Sequence, residues 1–301
     1  IHALPVAHAL IQQYPQAKIT WVVEKPAYDL LTNNPDIDEI IIFDKPKFKS
    51  IAGLTENVPP LAKRLRQERF DIALDLQGLF KSAAITALSG ASARFGYCNM
   101  RELSHLVSTP ICGPNKQGHV VDRYLDVIRA YGIDTYVVEF PIFIPEAERA
   151  AAERISHEVG LAPGQPYVVL APGTNWPTKC WPPRYFAKLS DALWDNGLVS
   201  VLIGGPSDRL LAQQIIDSAN KPLINVTGKT SLKELAWFIQ GAKVFVGGDT
   251  GPMHLAVAVN TPVIALFGPT DPIRNGPYRG NNIVMRASLD CLRCWKRQCD
   301  K

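Results

Sequence analysis

"KVFVGGDTGPMHLAVAV", residues 243–259, is the stretch whose reading decides the fold. It opens with a Val-Phe-Val run, as in a strand covered on both faces of a parallel sheet. Two glycines follow, then Asp249 and Thr250, either of which can cap a helix. Pro252 falls in the first helical turn, where no amide hydrogen is required. Strand, glycine turn and helix together make half of a βαβ unit.

The same punctuation recurs on both sides. In the second half of the chain, strands are predicted over 167–172, 198–205, 223–228, 243–249, 262–268 and 282–286. Helices fill 183–196, 207–219, 231–240 and 251–259. In the first half a helix over residues 1–15 precedes strands at 18–23, 38–44, 69–76 and 93–97. Helices are predicted within 56–69, 82–90 and 119–132. This alternation argues for parallel βα units. Residues 141–166 carry prolines at both ends and read as a connector. The expected fold class is therefore α/β, with two doubly wound parallel-sheet domains, 1–150 and 151–301. A domain of this kind normally opens with a strand, so a first strand is expected before Ile1.

Composition sets the outer bounds. The 301 residues are 47% hydrophobic, enough for two cores. A net charge of +4 makes no case for a nucleic-acid partner but permits local basic patches. No stretch approaches the roughly 20 apolar residues of a membrane span. Cys98, Cys112 and Cys180 are scattered, which suits a reducing compartment better than a disulfide scaffold. Cys291, Cys294 and Cys299 cluster in "CLRCWKRQC", but zinc usually wants four ligands, so no metal is assigned.

In open α/β sheets, ligands bind beyond the carboxyl ends of the strands. Five such loops are rich in glycine and hydroxyls: "PGTNWPTKCW" (172–181), "GGPSD" (204–208), "TGKTSL" (227–232), "GGDTGPMH" (247–254) and "FGPTDP" (267–272). This is a vocabulary for phosphate and sugar. Alone, "GGDTGPMH" suits a capped helix with a surface histidine as well as it suits a phosphate seat on backbone N–H groups. Lys179 suits a phosphate oxygen, or is a solvated lysine. Asp208 could take a ribose diol, or cap its own helix. In the first half, "DLQGLFKSA" (75–83) brings Gln77, Gly78, Lys81 and Ser82 to a strand end. Arg101, Glu102, Lys45, Lys47, Lys49, Lys63, Arg64 and Arg66 could face an acidic acceptor, or form a solvated helix face.

Taken together the motifs resemble glycosyltransferase family 9, the ADP-heptose:lipopolysaccharide heptosyltransferases. The matching pieces are "IHALPVAHAL", "DLQGLFKSA", "PGT" with Lys179 and Trp181, "GGPSD", "TSLKELA", "DTGPMHLA" and "FGPTDP". "DLQGLFKSA" with Arg101 and Glu102 looks closest to the first heptosyltransferase of the pathway. The resemblance implies a GT-B fold, with an acceptor-binding N-terminal domain and a donor-binding C-terminal one. It implies inverting transfer of heptose from ADP-heptose to the Kdo/inner-core region of lipopolysaccharide, on a Kdo-lipid A acceptor, without metal or other cofactor. It also implies a cytoplasmic protein, peripheral to the inner membrane.

Carried over by motif, Thr174, Asn175, Lys179, Thr250 and Gly251 would hold the diphosphate and Asp208 the ribose. Leu232 would lie by the adenine, with Asp249 and His254 shaping the diphosphate and heptose site. Gln77, Gly78, Lys81, Arg101, Lys47 and Lys49 would meet the acceptor. The catalytic set would be Lys179, Asp249 and His254. The family's general base is an aspartate just before the "IHALP"-like helix, so it is expected to precede Ile1, and these 301 residues alone are expected to transfer heptose poorly. Two alternatives use similar architecture: a nucleotide-sugar epimerase, and a non-enzymatic two-domain sugar-binding protein.

Overall fold

The structure, a computed structural model, describes residues 1–299; Asp300 and Lys301, the end of the expected C-terminal domain, lie outside it. The chain divides into two compact units, one of residues His2–Pro141 and one running from Ile142 and including Ile1. The boundary expected near residue 150 thus falls earlier. The helix Glu146–Glu158 spans that position and belongs with the C-terminal unit, where Ser231 donates to Glu148 at 3.0 Å.

The N-terminal unit holds five strands: β1 Thr20–Glu24, β2 Glu39–Phe43, β3 Ile72–Asp75, β4 Ala93–Tyr97 and β5 Thr109–Ile111. β1 pairs with β2, and β3, β4 and β5 form a second sheet, all parallel. β5 is absent from the sequence reading because three residues containing Pro110 give no strand signal; at a sheet edge such a proline is tolerated. The helix Ile51–Gln67 starts earlier than expected because Ser50 caps it, accepting from the Gly53 N–H at 3.0 Å.

The reading of Cys98 and Cys112 as unpaired is corrected: they form a disulfide. Tyr97 and Ile111 are register partners across β4 and β5, so the next residues of each strand arrive side by side, with Cα atoms 4.6 Å apart.

The C-terminal unit carries β6 Tyr167–Ala171, β7 Val199–Leu202, β8 Ile224–Asn225, β9 Val244–Gly248, β10 Val263–Phe267 and β11 Ile283–Arg286. They form one parallel sheet in the order β11-β10-β9-β6-β7-β8. Val168, Leu170 and Val246 of this sheet pack with Phe186, Leu202 and Ile215, which accounts for the uninterrupted apolar runs. The chain winds from β6 through β8 on one side, then returns to β9 on the other. The winding reverses between β6 and β9, where Ala171 lies opposite Gly247. In open α/β sheets such a switch point is where ligands bind.

Candidate active site

Two of the predicted loops leave the sheet at this switch point, and a buried ion pair joins them. Lys179 Nζ donates to Asp249 Oδ2 at 2.7 Å and to the Asp249 carbonyl at 3.1 Å. His254 Nε2 lies 3.6 Å from the other carboxylate oxygen. Burial would raise the Asp249 carboxyl, but His254 and the Lys179 charge override it and hold the group well below the usual carboxylate range. His254 is lowered too, but for the opposite reason: burial lowers it against the pull of Asp249, favouring a neutral imidazole. An ammonium has three donors, and two of those on Lys179 go to Asp249, which aims the third.

The expected helix cap is not there. Thr250 is the N-cap residue of the helix Gly251–Ala258, yet its side chain accepts no capping bond. Its hydroxyl turns back to the Gly248 carbonyl at 3.4 Å, and the Asp249 carboxylate is taken up by Lys179. Pro252 contributes no N–H, and the Met253 N–H bonds to the Thr250 carbonyl. The Gly251 N–H at the positive end of the helix thus meets no side-chain cap among the described residues. The space where a Gly251 side chain would stand is open to 4 Å, so an anion can reach the backbone.

The other donor candidates fall into distinct roles. The Thr174 hydroxyl is spent on its own loop, donating to the Trp176 carbonyl at 2.6 Å and accepting from the Trp176 N–H at 3.2 Å. Asn175 is exposed on that loop. Asp208 accepts from the Gly205 N–H at 2.8 Å, and its carboxyl lies where a Gly173 Cβ would come within 2.5 Å. The loops after β6 and β7 are thereby brought together around one carboxylate. Leu232 opens the helix Leu232–Gln240, held by reciprocal bonds between Ser231 and Glu234. Sequence reasoning missed Trp176. Its ring lies 4.7 Å from Lys179 Nζ and 5.0 Å from the Arg297 guanidinium. An aromatic residue inside a glycine- and proline-rich strand-end loop was the available signal.

In the N-terminal unit, Asp75 shapes the acceptor candidates. Its carboxylate accepts from Gln77 N–H at 3.1 Å and Gly78 N–H at 2.8 Å. Gly78 has φ +63°, which favours glycine, and its carbonyl accepts from the Arg101 N–H at 2.8 Å. Lys81 is paired with Glu24, so its charge is partly met within the protein. Lys47 lies 3.7 Å from Asp44, and Lys49 and Arg101 are exposed. Among the described residues no group of His, Cys, Asp or Glu is placed to hold a metal ion, and Cys291, Cys294 and Cys299 are exposed. No described helix is long and apolar enough to cross a membrane.

A part-buried lysine bonded to a carboxylate, an uncapped helix N-terminus and a doubly wound sheet place the chain among α/β proteins with strand-end ligand loops. Comparison narrows that class. Residues 58–301 match the model of glycosyltransferase family 9 (heptosyltransferase), and the chain belongs to that family. It is 31% identical to lipopolysaccharide heptosyltransferase 3 of Escherichia coli over 93% of this chain and 83% of that one. A glycosyltransferase family 9 structure from Veillonella parvula superposes with TM-score 0.85 at 26% identity, covering 95% of this chain and 82% of that one. The E. coli heptosyltransferase WaaC, solved with ADP, superposes with TM-score 0.75 at 27% identity, covering 95% and 89%. The fold is GT-B, and the chain is a glycosyltransferase with heptosyltransferase function in lipopolysaccharide core biosynthesis. The epimerase and binding-protein alternatives fall away.

Proposed function

We propose that this chain moves heptose from ADP-heptose, with inversion at the anomeric carbon, to the Kdo region of the lipopolysaccharide inner core at the cytoplasmic face of the inner membrane. The observation that carries the donor side is the Lys179–Asp249 pair beside the uncapped helix at Thr250 and Gly251. As the glycosidic bond to ADP breaks, negative charge grows on the leaving diphosphate. A fixed cation and a helix N-terminus stabilise that state more than the ground state. Asp249 acts as a positioning residue for Lys179, and neutral His254 contributes a hydrogen bond toward the diphosphate or heptose. Leu232 borders the adenine, and Asp208 offers its remaining lone pairs to the ribose. Thr174 shapes the loop, and Asn175 reaches the diphosphate from its rim. Catalysis needs no metal on this reading.

Gln77, Gly78, Lys81, Arg101, Lys47 and Lys49 form the acceptor side, cationic toward an acidic sugar. The relative named heptosyltransferase 3 supports a second acceptor reading, in which the accepting sugar is another residue of the core. Calorimetric titration tests the donor assignment: ADP and ADP-heptose should bind, and free heptose should not. Tight free-sugar binding without ADP binding would overturn it. Transfer assays with Kdo-terminated against heptose-terminated acceptors separate the two acceptor readings.

A further inference from the structure

Beyond β11 the described chain forms no further helix or strand, yet its backbone is bonded to the loops of the sheet. The Arg293 N–H donates to the Gly268 carbonyl at 3.4 Å and the Trp295 N–H to the Pro269 carbonyl at 2.9 Å. Both donors belong to left-handed residues, with φ of 61° and 58°, a backbone that bulky side chains resist. Such backbone persists where surrounding contacts over-determine it, and it clusters at sites of function. The contacts are present: the Arg274 guanidinium lies 5.6 Å from the Trp295 ring, and Arg293 lies 3.9 Å from Asp271. The chain then crosses to a different loop. The Lys296 carbonyl accepts from the Thr178 hydroxyl at 2.8 Å, and the Arg297 guanidinium stands 5.0 Å from the Trp176 ring.

The strand order gives this crossing a meaning. Gly268 and Pro269 follow β10, Trp176 and Thr178 follow β6, and β9 lies between those two strands. Residues 293–297 therefore form a strap from one neighbour of β9 to the other, at the end where Asp249 follows β9. The loop after β6 also carries Lys179, whose ammonium is 4.7 Å from the same Trp176 ring. Within that loop the Thr174 hydroxyl and the Lys179 N–H both bond to the Trp176 carbonyl, which shapes the turn but does not tie it to the sheet. The strap makes that tie at Thr178 and Trp176.

We propose that the strap, through Arg297 and Trp176, fixes the direction of the Lys179 ammonium toward the donor's diphosphate, so that both are positioning residues of the site. Asp249 takes two of the three ammonium donors. A π-face attracts an ammonium more weakly than an oxyanion does, so the indole steadies Lys179 without consuming its last donor. This rests on the donor reading above, in which Lys179 meets the diphosphate.

The test is calorimetric titration of the whole chain with ADP and with AMP, because the ratio of the two affinities reads the second phosphate and needs no turnover. Wild type should prefer ADP, and Lys179→Ala should lose most of that preference. Arg297→Gln and Trp176→Leu should each weaken ADP about five- to tenfold and leave AMP within roughly twofold. Trp176→Phe, which keeps a π-face, should stay near wild type. Arg297 is exposed, so Arg297→Gln should also melt with wild type. In the Lys179→Ala background, adding either Arg297→Gln or Trp176→Leu should weaken ADP by less than about twofold more, because both act through Lys179. A further full loss there overturns the proposal, since Arg297 or Trp176 would then meet the ligand itself. Equal weakening of ADP and AMP overturns it as well, as does a Trp176→Phe variant no better than Trp176→Leu. If Lys179→Ala loses the preference for ADP while Arg297→Gln and Trp176→Leu keep it, the donor reading stands and the strap has no part in it. If Lys179→Ala binds ADP as wild type does, the donor reading falls and takes the strap's role with it.

Discussion

The two halves of the chain use the same elements to different ends. In the C-terminal unit β6 and β7 are buried along their whole length, and six strands run in one sheet. In the N-terminal unit β1 is half-buried throughout. The first half exposes Phe80, Leu103 and Leu106 beside its candidate site, whereas the second largely encloses its ion pair, with Lys179 and Asp249 side chains 14% and 7% exposed. A small charged donor calls for a dry, preorganised seat, because electrostatic stabilisation weakens in water. An acceptor carried on lipid calls for an accessible edge.

The largest effect should come from breaking the dry seat. Lys179→Ala is expected to lower kcat/KM by about 100- to 1000-fold, as loss of one preorganised charge on a developing anion does. It also strands Asp249 as a buried carboxylate, so the melting temperature should fall. Adding Asp249→Asn should restore much of that stability and none of the rate. Recovery of rate would mean that Lys179 serves only to neutralise Asp249.

Two glycine substitutions sharpen the contrast at intermediate size. A Cβ at Gly173 comes within 2.5 Å of the Asp208 carboxyl, a side chain that can swing away. Gly173→Ala should therefore raise the KM for ADP-heptose by roughly tenfold, about 1.4 kcal/mol, with little loss of stability. A Cβ at Gly78 meets Tyr97 Cε1 at 3.0 Å and the backbone Cα of Met100 at 3.2 Å, on a residue with φ +63°. Neither can yield cheaply. Gly78→Ala should cost about 1–3 kcal/mol of stability and raise the acceptor KM, leaving the donor KM unchanged. If both variants shift the same KM, the division of labour between the halves is wrong.

The smallest effect is in pH. Burial lowers His254, so below the ordinary histidine value near 6.5 the unfolded chain gains a proton that the folded site resists. Stability should be full above that value and decline as pH falls through it. Asp249 is shifted down as well, and its contribution is lost only below the ordinary carboxylate value of 3.8, so it stays constant across pH 5 to 8. Scanning calorimetry of wild type against His254→Asn should show the pH 5 to 7 slope flatten in the variant.

Much of the second half was legible in its sequence. All six of its strands form where apolar runs between glycine and proline punctuation were read; β6 and β7, buried on both faces, have no polar alternation to confuse, while the edge strand β11 forms although every residue of it is exposed. The first half was less legible. β5 is too short and too proline-marked to register, and the helix capped by Ser50 starts at Ile51, five residues ahead of the start inferred from the sequence. The Cys98–Cys112 pairing was invisible because spacing along the chain carries no information about strand register.

Local sequence by itself determined the strand–turn–helix alternation, the strand-end loops and their phosphate-and-sugar chemistry, since these depend on residues close along the chain. Only tertiary structure decided that Asp249 serves Lys179 rather than the helix beside it, because that choice is made by a partner 70 residues away. It also decided that Ser104 goes in while Leu103 and Leu106 stay out. Hydrophobicity predicts the reverse in that turn, where the backbone passes through two left-handed residues, Glu102 and Leu103.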